Sequence, residues 1–142
     1  GAKRVQKLAN RLGVQAGFVF KQRLSGDQVR FTALHADVEG RPVILCDDMV
    51  RTGGTLINAA RAYRDAGATR VAAIATHGVL PGRSLERLRD SGLLDALIVT
   101  DSHPRALALE DGFLRVVTLA GLLEHWLDHH LPSRWSPDED RP

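Results

Sequence analysis

The chain has 142 residues, of which 44% are hydrophobic and 25% are charged, which is enough material for one globular domain with its own core. Its 19 basic and 17 acidic residues nearly balance, so charge gives no reason to expect a nucleic-acid partner. Every apolar run is far shorter than the roughly 20 residues of a membrane span, so we expect no membrane partner. The single cysteine, Cys46, fits a cytoplasmic protein, and we expect its side chain to be buried.

The apolar pattern predicts alternating helices and strands. In chain order it predicts a helix at 2–12, a strand at 16–20, a polar loop at 21–27, a half-exposed strand at 29–34, a strand at 43–46, a helix at 55–66, a strand at 70–76, a helix at 84–92, strands at 96–101 and 114–119, and a helix at 120–131. Buried strands separated by helices are typical of an α/β protein with a mostly parallel sheet flanked by helices on both faces. We expect one domain at 1–131 and a loose, proline-rich tail at 132–142.

The carboxyl ends of the strands are where such a sheet binds ligands. We therefore expect the important residues just after Phe20, Cys46, Thr76 and Val99. The strand at 43–46 is continuous, apolar and β-branched, which indicates the centre of the sheet.

Two adjacent aspartates, Asp47 and Asp48, follow that strand directly. Neighbouring carboxylates repel each other and cost free energy to desolvate, so a fold tolerates them where a partner compensates. A divalent metal ion or a sugar diol would be such a partner. For the pair considered alone, a solvated strand end without a ligand is the alternative.

The next stretch, Arg51-Thr52-Gly53-Gly54-Thr55, lies where a helix is predicted to begin. Glycines let main-chain amides turn towards a ligand, and the start of a helix offers unpaired N–H groups and a partial positive charge. The stretch therefore predicts a nest for a terminal phosphate, with a plain threonine N-cap as the alternative. Carboxylates beside the hydroxyls and amides around the phosphate would suit a ribose phosphate.

The stretch VILCDDMVRTGGTL resembles the phosphoribosyl-diphosphate fingerprint of the type I phosphoribosyltransferase fold. Four further segments extend the resemblance, in the same order, to the C-terminal half of the ribose-phosphate pyrophosphokinase (phosphoribosyl-diphosphate synthetase) family. They are GAKRVQKLANRLG, Lys21-Gln22-Arg23, GATRVAAIATHGVLPG and LIVTDSHP. The similarity covers about residues 1–125 and implies a type I phosphoribosyltransferase-like fold. Because the chain opens on Gly1 without a methionine, we expect the family's N-terminal half to lie outside it.

The resemblance also implies an activity, because that family transfers diphosphate from ATP to the anomeric hydroxyl of ribose 5-phosphate with Mg²⁺. Asp47 and Asp48 would hold the ribose hydroxyls, directly or through the metal ion. Thr52, Gly53, Gly54 and Thr55 would bind the 5-phosphate. Lys21 and Arg23 match the basic pair of the family's mobile catalytic loop, where cations stabilise charge on the transferring phosphoryl oxygens. The resemblance implies a cytoplasmic homo-oligomer with ribose 5-phosphate and ATP as substrates.

Arg51 departs from the family, which commonly has aspartate or sometimes serine there. An arginine beside a phosphate nest could strengthen phosphate binding, point to solvent or mark a changed substrate. Two alternatives stay open. A base phosphoribosyltransferase would use the same Asp-Asp and Thr-Gly-Gly-Thr loop with phosphoribosyl diphosphate as substrate, and Arg51 keeps open a non-catalytic regulatory subunit of the synthetase. The resemblance leads us to expect the family's nucleotide-binding loop upstream of Gly1. We therefore expect the 142 residues to bind ribose 5-phosphate weakly without forming product unaided.

Several other polar residues are weaker candidates. His77 follows a predicted strand, and we expect a hydrogen-bonded structural role for it. For Asp101 and His103 we expect loop capping. His125 and His129 share a helix face but lack further metal-ligating partners, and we expect Trp126 and Leu127 to serve packing or subunit contact.

Overall fold

The computed structural model describes residues 2–23, 29–34 and 37–130, and it describes 18–23 and 29–34 by their backbone. Within these residues the helices are α1 (Ala2–Leu12), α2 (Gly54–Asp65), α3 (Ser84–Asp90), α4 (Pro104–Leu109) and α5 (Ala120–His130). The strands are β1 (Phe18–Arg23), β2 (Val29–Leu34), β3 (Pro42–Val50), β4 (Arg70–Gly78), β5 (Ala96–Thr100) and β6 (Leu114–Val117).

Strands β3 to β6 form a four-stranded sheet in chain order, and every neighbouring pair is parallel. One row across this sheet joins Leu45, Ala73, Leu97 and Leu114, all of which are buried. Parallel neighbours need crossover connections, and helices α2, α3 and α4 supply them. The predicted α/β fold, a parallel sheet flanked by helices, is confirmed.

The core lies between this buried row and the crossover helices. Helix α2 buries the stripe predicted from its sequence, namely Leu56, Ala59, Ala60 and Tyr63. Leu85 and Leu88 of α3 and Ala106 of α4 join the same cluster of buried residues. These helices therefore lie against one face of the sheet, and their contact with it fixes the loops at the carboxyl ends of the strands.

Strand β3 lies at the edge of the sheet, so the prediction that it is central is wrong. Its alternate residues Ile44 and Cys46 are exposed, and the expectation that Cys46 is buried is wrong as well. Ile44 and Cys46 pair with Ala72 and Ile74 of β4, on the face opposite the buried row. The continuous apolar run at 43–46 therefore belongs to an edge strand, which packs one face against the core and leaves the other face accessible.

The predicted polar loop at 21–27 begins too early, because β1 continues through Lys21 to Arg23. Strands β1 and β2 form a separate antiparallel pair, so Phe20 does not lie at a carboxyl end of the parallel sheet as expected. Residues 24–28 lie outside the described residues.

The C-terminal part of the chain differs from the prediction in two places. Helix α4 was missed, although Pro104 occupies its first turn, a position where proline favours a helix start. Helix α5 has the predicted location but buries none of its residues, and the predicted tail at 132–142 lies outside the described residues. Among the described helices, none has the length and apolar character that crossing a membrane requires.

Candidate functional site

The carboxyl ends of the parallel strands meet at one edge of the sheet. Met49 of β3 pairs with His77 of β4, which pairs with Thr100 of β5. The loops that follow are tied together, since the N–H groups of Val79 and Leu80 donate to the carbonyl of Val50 at 3.0 and 3.3 Å. The sequence predicts ligand binding at this edge. Phe20 is the exception among the predicted positions, because it belongs to the separate β1–β2 pair.

Asp47 and Asp48 lie within β3 rather than after it, because the strand runs on to Val50. Asp48 Oδ1 accepts a hydrogen bond from Arg4 Nη1 of helix α1 at 2.8 Å, and Asp47 Oδ1 accepts the main-chain N–H of Asp48 at 2.8 Å. The compensating charge that the pair requires thus comes partly from Arg4. Both partners of the ion pair are largely exposed, so it contributes little to stability and can open when a ligand arrives.

A cleft of about 490 Å³ lies between helix α1 and the accessible face of the sheet. Its polar side is formed by Arg4, Asp47, Asp48, Thr76 and Thr100. Its apolar lining includes Val5, Leu8, Cys46, Ile74 and Ile98. Desolvation raises the pKa of the Cys46 thiol, which keeps it protonated and disfavours a nucleophilic role. The cleft offers carboxylate and hydroxyl oxygens to a ligand at its polar side.

Gly53 forms the N-cap of helix α2 in the left-handed conformation, with φ 77° and ψ −3°. Within the described residues, no side chain caps this helix, so the threonine N-cap offered as the alternative is not formed. The first turn contains no acidic residue, which would otherwise compete for the helix dipole. Among the described residues, neither a side-chain cap nor a first-turn carboxylate therefore competes with an anion for the N–H groups at the start of α2.

Helix α3 lies directly against this turn. A Cβ on Gly53 would lie 2.6 to 2.8 Å from the Cγ and Cδ atoms of Leu88, whereas one on Gly54 would meet nothing within 4 Å. Arg87, the neighbour of Leu88, donates through Nη2 to the carbonyl of Thr52. A second cleft, of about 690 Å³, opens between Thr52 and α3.

The predicted diol and phosphate residues follow one another along the chain from β3 to α2, but they line two different clefts. Asp47 and Asp48 line the cleft beside α1, whereas Thr52 lines the cleft beside α3. Arg51 and Thr55 are exposed. Lys21 and Arg23 are alternate residues of β1, whose backbone pairs with β2 at Phe31 and Val29.

Loop capping by Asp101 and His103 is confirmed. Asp101 Oδ1 accepts the N–H of Leu119 at 3.0 Å, and His103 Nδ1 accepts the N–H of Arg105 at 3.2 Å as the N-cap of α4. The expected structural role of His77 is confirmed too, because its Nδ1 shares a 2.8 Å hydrogen bond with Ser102 Oγ.

Four further residues at this edge were not singled out from the sequence, although one of them, Thr100, lies directly after Val99, where important residues are expected. Thr100 and Ser102 both donate to the carbonyl of Thr76, at 2.6 and 3.1 Å. Arg4 and Arg87 contact the β3–α2 stretch from 44 and 35 residues away. The hydroxyls could have been suspected from their position at the end of a strand, but no local signal pairs either arginine with its target.

The aspartate pair also bears on metal binding. Among the described residues, no group of three or more His, Cys, Asp or Glu side chains could hold a metal ion. Mg²⁺, however, is usually held by one or two carboxylates together with substrate phosphates. The oxygens of Asp47 and Asp48 fit that shared mode of binding.

The histidines of α5 make hydrogen bonds within their own helix. His129 Nδ1 and His130 Nδ1 donate to the carbonyls of His125 and Trp126, at 2.7 and 2.8 Å. Trp126 and Leu127 are exposed, so the expected packing role is not seen within the described residues. Subunit contact stays a prediction for both.

The fold and its comparison with solved structures define the class of this protein. A crystal structure of phosphoribosylpyrophosphate synthetase from Mycobacterium smegmatis matches 89% of this chain with a TM-score of 0.75 and 34% identity. The parallel sheet flanked by helices thus has the phosphoribosyltransferase-like fold.

Residues 23–124 match the family described as "Phosphoribosyl synthetase-associated domain". The chain belongs to this family, as its sequence motifs suggested.

Curated relatives carry the name ribose-phosphate pyrophosphokinase. The protein from Methanopyrus kandleri is 46% identical over 99 residues, covering 70% of this chain and 34% of the relative. The protein from Aquifex aeolicus is 37% identical over 123 residues, covering 87% of this chain and 39% of the relative. This chain covers 40% of the chain in the Mycobacterium smegmatis structure. The chain therefore spans between a third and two-fifths of the length of these proteins.

The two adjacent glycines predict opposite responses to alanine. Gly53→Ala should lower the free energy of unfolding by about 2–4 kcal/mol, because it combines a left-handed conformation with a Cβ too close to Leu88. Gly54→Ala should leave stability unchanged or raise it by up to about 1 kcal/mol, because its Cβ has room in a helix. Urea unfolding of both variants tests this, and equal stabilities would contradict the assigned turn.

The stability of the protein should fall in acid partly through Asp101. Hydrogen bonds from the Thr118 side chain and the Leu119 N–H lower its pKa below the ordinary 3.8. A lowered folded-state pKa gives stability that is present above the unfolded-state pKa and lost as pH falls through the folded-state value. Asp101→Asn should therefore flatten the loss of stability below about pH 4. Parallel thermal melts of the two proteins between pH 2 and 7 measure this, and identical acid slopes would refute it.

Proposed function

We propose that this chain supplies the ribose 5-phosphate site and the catalytic basic pair of a ribose-phosphate pyrophosphokinase. The reaction would transfer diphosphate from ATP to the C1 hydroxyl of ribose 5-phosphate. The observation that carries the proposal is the start of α2, where Gly53 is a left-handed N-cap without a side-chain cap. The names of the relatives from Methanopyrus kandleri and Aquifex aeolicus support the same reaction.

The 5-phosphate would sit at the start of α2. The N–H groups of Gly53, Gly54 and Thr55 would donate to its oxygens, and the helix dipole favours the negative charge there. The Thr52 and Thr55 hydroxyls would add donors. Arg51 is exposed and adjacent, so its guanidinium could pair with the same phosphate.

The ribose hydroxyls would lie towards Asp47 and Asp48. Ionised carboxylates only accept hydrogen bonds, and sugar hydroxyls can donate them. If Asp48 is to accept a hydrogen bond from a ribose hydroxyl, its ion pair with Arg4 must open. Opening it would cost little free energy, because both partners are largely exposed. The released guanidinium would then be available to phosphate oxygens.

Lys21 and Arg23 would act on the transferring diphosphate. Phosphoryl transfer spreads negative charge over the equatorial oxygens, and fixed cations stabilise that charge. Mg²⁺, held by Asp47 and Asp48 together with substrate oxygens, would supply further charge neutralisation at the phosphates. The chain's own tasks are to orient the sugar, fix its phosphate and present the basic pair.

The proposal extends to the cellular location and the oligomeric state of the protein. It acts in the cytoplasm, which suits a single cysteine, and it assembles as a homo-oligomer. Exposed apolar residues of α5, among them Trp126 and Leu127, are available for contact between copies.

A regulatory subunit of the synthetase is the second candidate. It is favoured by the word "associated" in the description of the family and by Arg51 at a position where aspartate or serine is common. Such a subunit would change the activity of an added synthetase, and replacing Lys21 and Arg23 by alanine would not alter that effect. A catalytic role requires both residues.

Calorimetry with ribose 5-phosphate, ATP and phosphoribosyl diphosphate tests the proposal. Ribose 5-phosphate should bind, and Asp48→Asn should weaken it about ten- to a hundredfold, because a hydrogen bond to a charged group is lost. The matched control Asp65→Asn, at the far end of α2, should bind like the unmodified protein. Binding of phosphoribosyl diphosphate alone would favour the base phosphoribosyltransferase, and unchanged affinity in Asp48→Asn would contradict the assigned diol site.

A further inference from the structure

Arg87 makes an unusual contact with the β3–α2 turn. Its guanidinium donates to the main-chain carbonyl of Thr52, 35 residues away. Within the described residues, this is the one side-chain hydrogen bond to the main chain of residues 51–55. The next residue, Leu88, is fully buried and lies against Gly53. Helix α3 thus holds the turn by one polar and one apolar contact.

General β-turn geometry allows two orientations for a peptide unit placed like the one between Thr52 and Gly53. The dihedral angles of Gly53 are those of the third residue of a type II turn. Rotating this one peptide unit would give a type I turn, in which the same residue has φ near −90°. Glycine accepts both signs of φ at little cost, so Gly53 itself does not select one orientation.

The contact with Arg87 supplies that selection. In a trans peptide the carbonyl oxygen and the following N–H point in opposite directions. Drawing the Thr52 carbonyl towards α3 therefore turns the Gly53 N–H away from α3. Rotating the peptide unit would break the hydrogen bond between the Thr52 carbonyl and the Arg87 guanidinium. Because that guanidinium is always charged, the hydrogen bond favours the observed orientation.

We propose that Arg87 is a positioning residue, which presents the Gly53 N–H to the terminal phosphate of a sugar phosphate by holding the Thr52 carbonyl. This inference rests on the proposed function for the identity of the ligand. The orientation of the peptide unit is a property of the turn itself and can be measured without ligand.

Helix α3 offers a matched control in Arg83. It carries the same charge at the N-cap of the same helix and borders the same cleft, but its Nε donates to Glu86 at 2.6 Å rather than to the turn. Replacing either arginine by methionine removes one positive charge near Thr52 and keeps an unbranched side chain. A difference between the two variants therefore reports the hydrogen bond and not the general electrostatic field.

The test combines ligand affinity with an amide signal in the protein and its Arg87→Met, Arg87→Lys and Arg83→Met variants. We expect Arg87→Met to bind ribose 5-phosphate about tenfold more weakly, the loss expected for one charge-assisted hydrogen bond, and Arg87→Lys to recover most of the affinity. Arg83→Met should bind like the unmodified protein. Thermal unfolding midpoints should stay close together, since the Arg87 contact is exposed.

The ¹H–¹⁵N signal of Gly53, recorded without ligand, provides the second readout. In Arg87→Met it should shift strongly or divide into two signals as both peptide orientations become populated, and it should stay in place in Arg83→Met. Equal affinity and an unchanged Gly53 signal in Arg87→Met would overturn the positioning role. If the unmodified protein did not bind ribose 5-phosphate, the proposed function would fail, and the Gly53 signal would still decide whether Arg87 orients the turn.

Discussion

The contact between Gly53 and Leu88 is the constraint on which the rest of the site depends. Strand β3 must turn sharply into α2, and α3 packs so closely against that turn that a residue with a Cβ does not fit. The left-handed glycine meets both demands, because it has no Cβ and accepts positive φ. The consequence is a helix whose start is left without a side-chain cap, at the edge of the sheet where the loops of β3, β4 and β5 meet.

The charged side chains at this edge make contacts that a ligand could replace. Asp48 pairs with Arg4 through an exposed ion pair that contributes little to stability, while Asp47 bonds to its own neighbour's N–H. A ligand with hydroxyls at one end and phosphate at the other could replace these contacts without disturbing the core. The core itself, centred on the row from Leu45 to Leu114, does not involve the carboxylates.

Local pattern predicted most of the fold, because α2 and the parallel strands carry their periodicity in consecutive residues. The stripe from Leu56 to Tyr63 is an example. The same patterns misjudged β3, since a run of apolar residues does not tell whether a strand has one neighbour or two. The motif at Asp47–Thr55 located the candidate site, but Arg4 and Arg87 reach it through tertiary contacts. Such pairs leave no trace in spacing, and the capping roles of Asp101 and His103 were inferable because they follow a strand directly.

The central claim is that a pentose with a terminal phosphate binds where β3 passes into α2. A crystal structure of the protein grown with ribose 5-phosphate tests it most directly. The account predicts the phosphate within hydrogen-bond distance of the main-chain N–H groups of residues 53–55 and the ring hydroxyls facing Asp47 and Asp48. A sugar phosphate found instead in the cleft beside Arg83 and Ser91, with the Gly53 turn free of ligand, would contradict it.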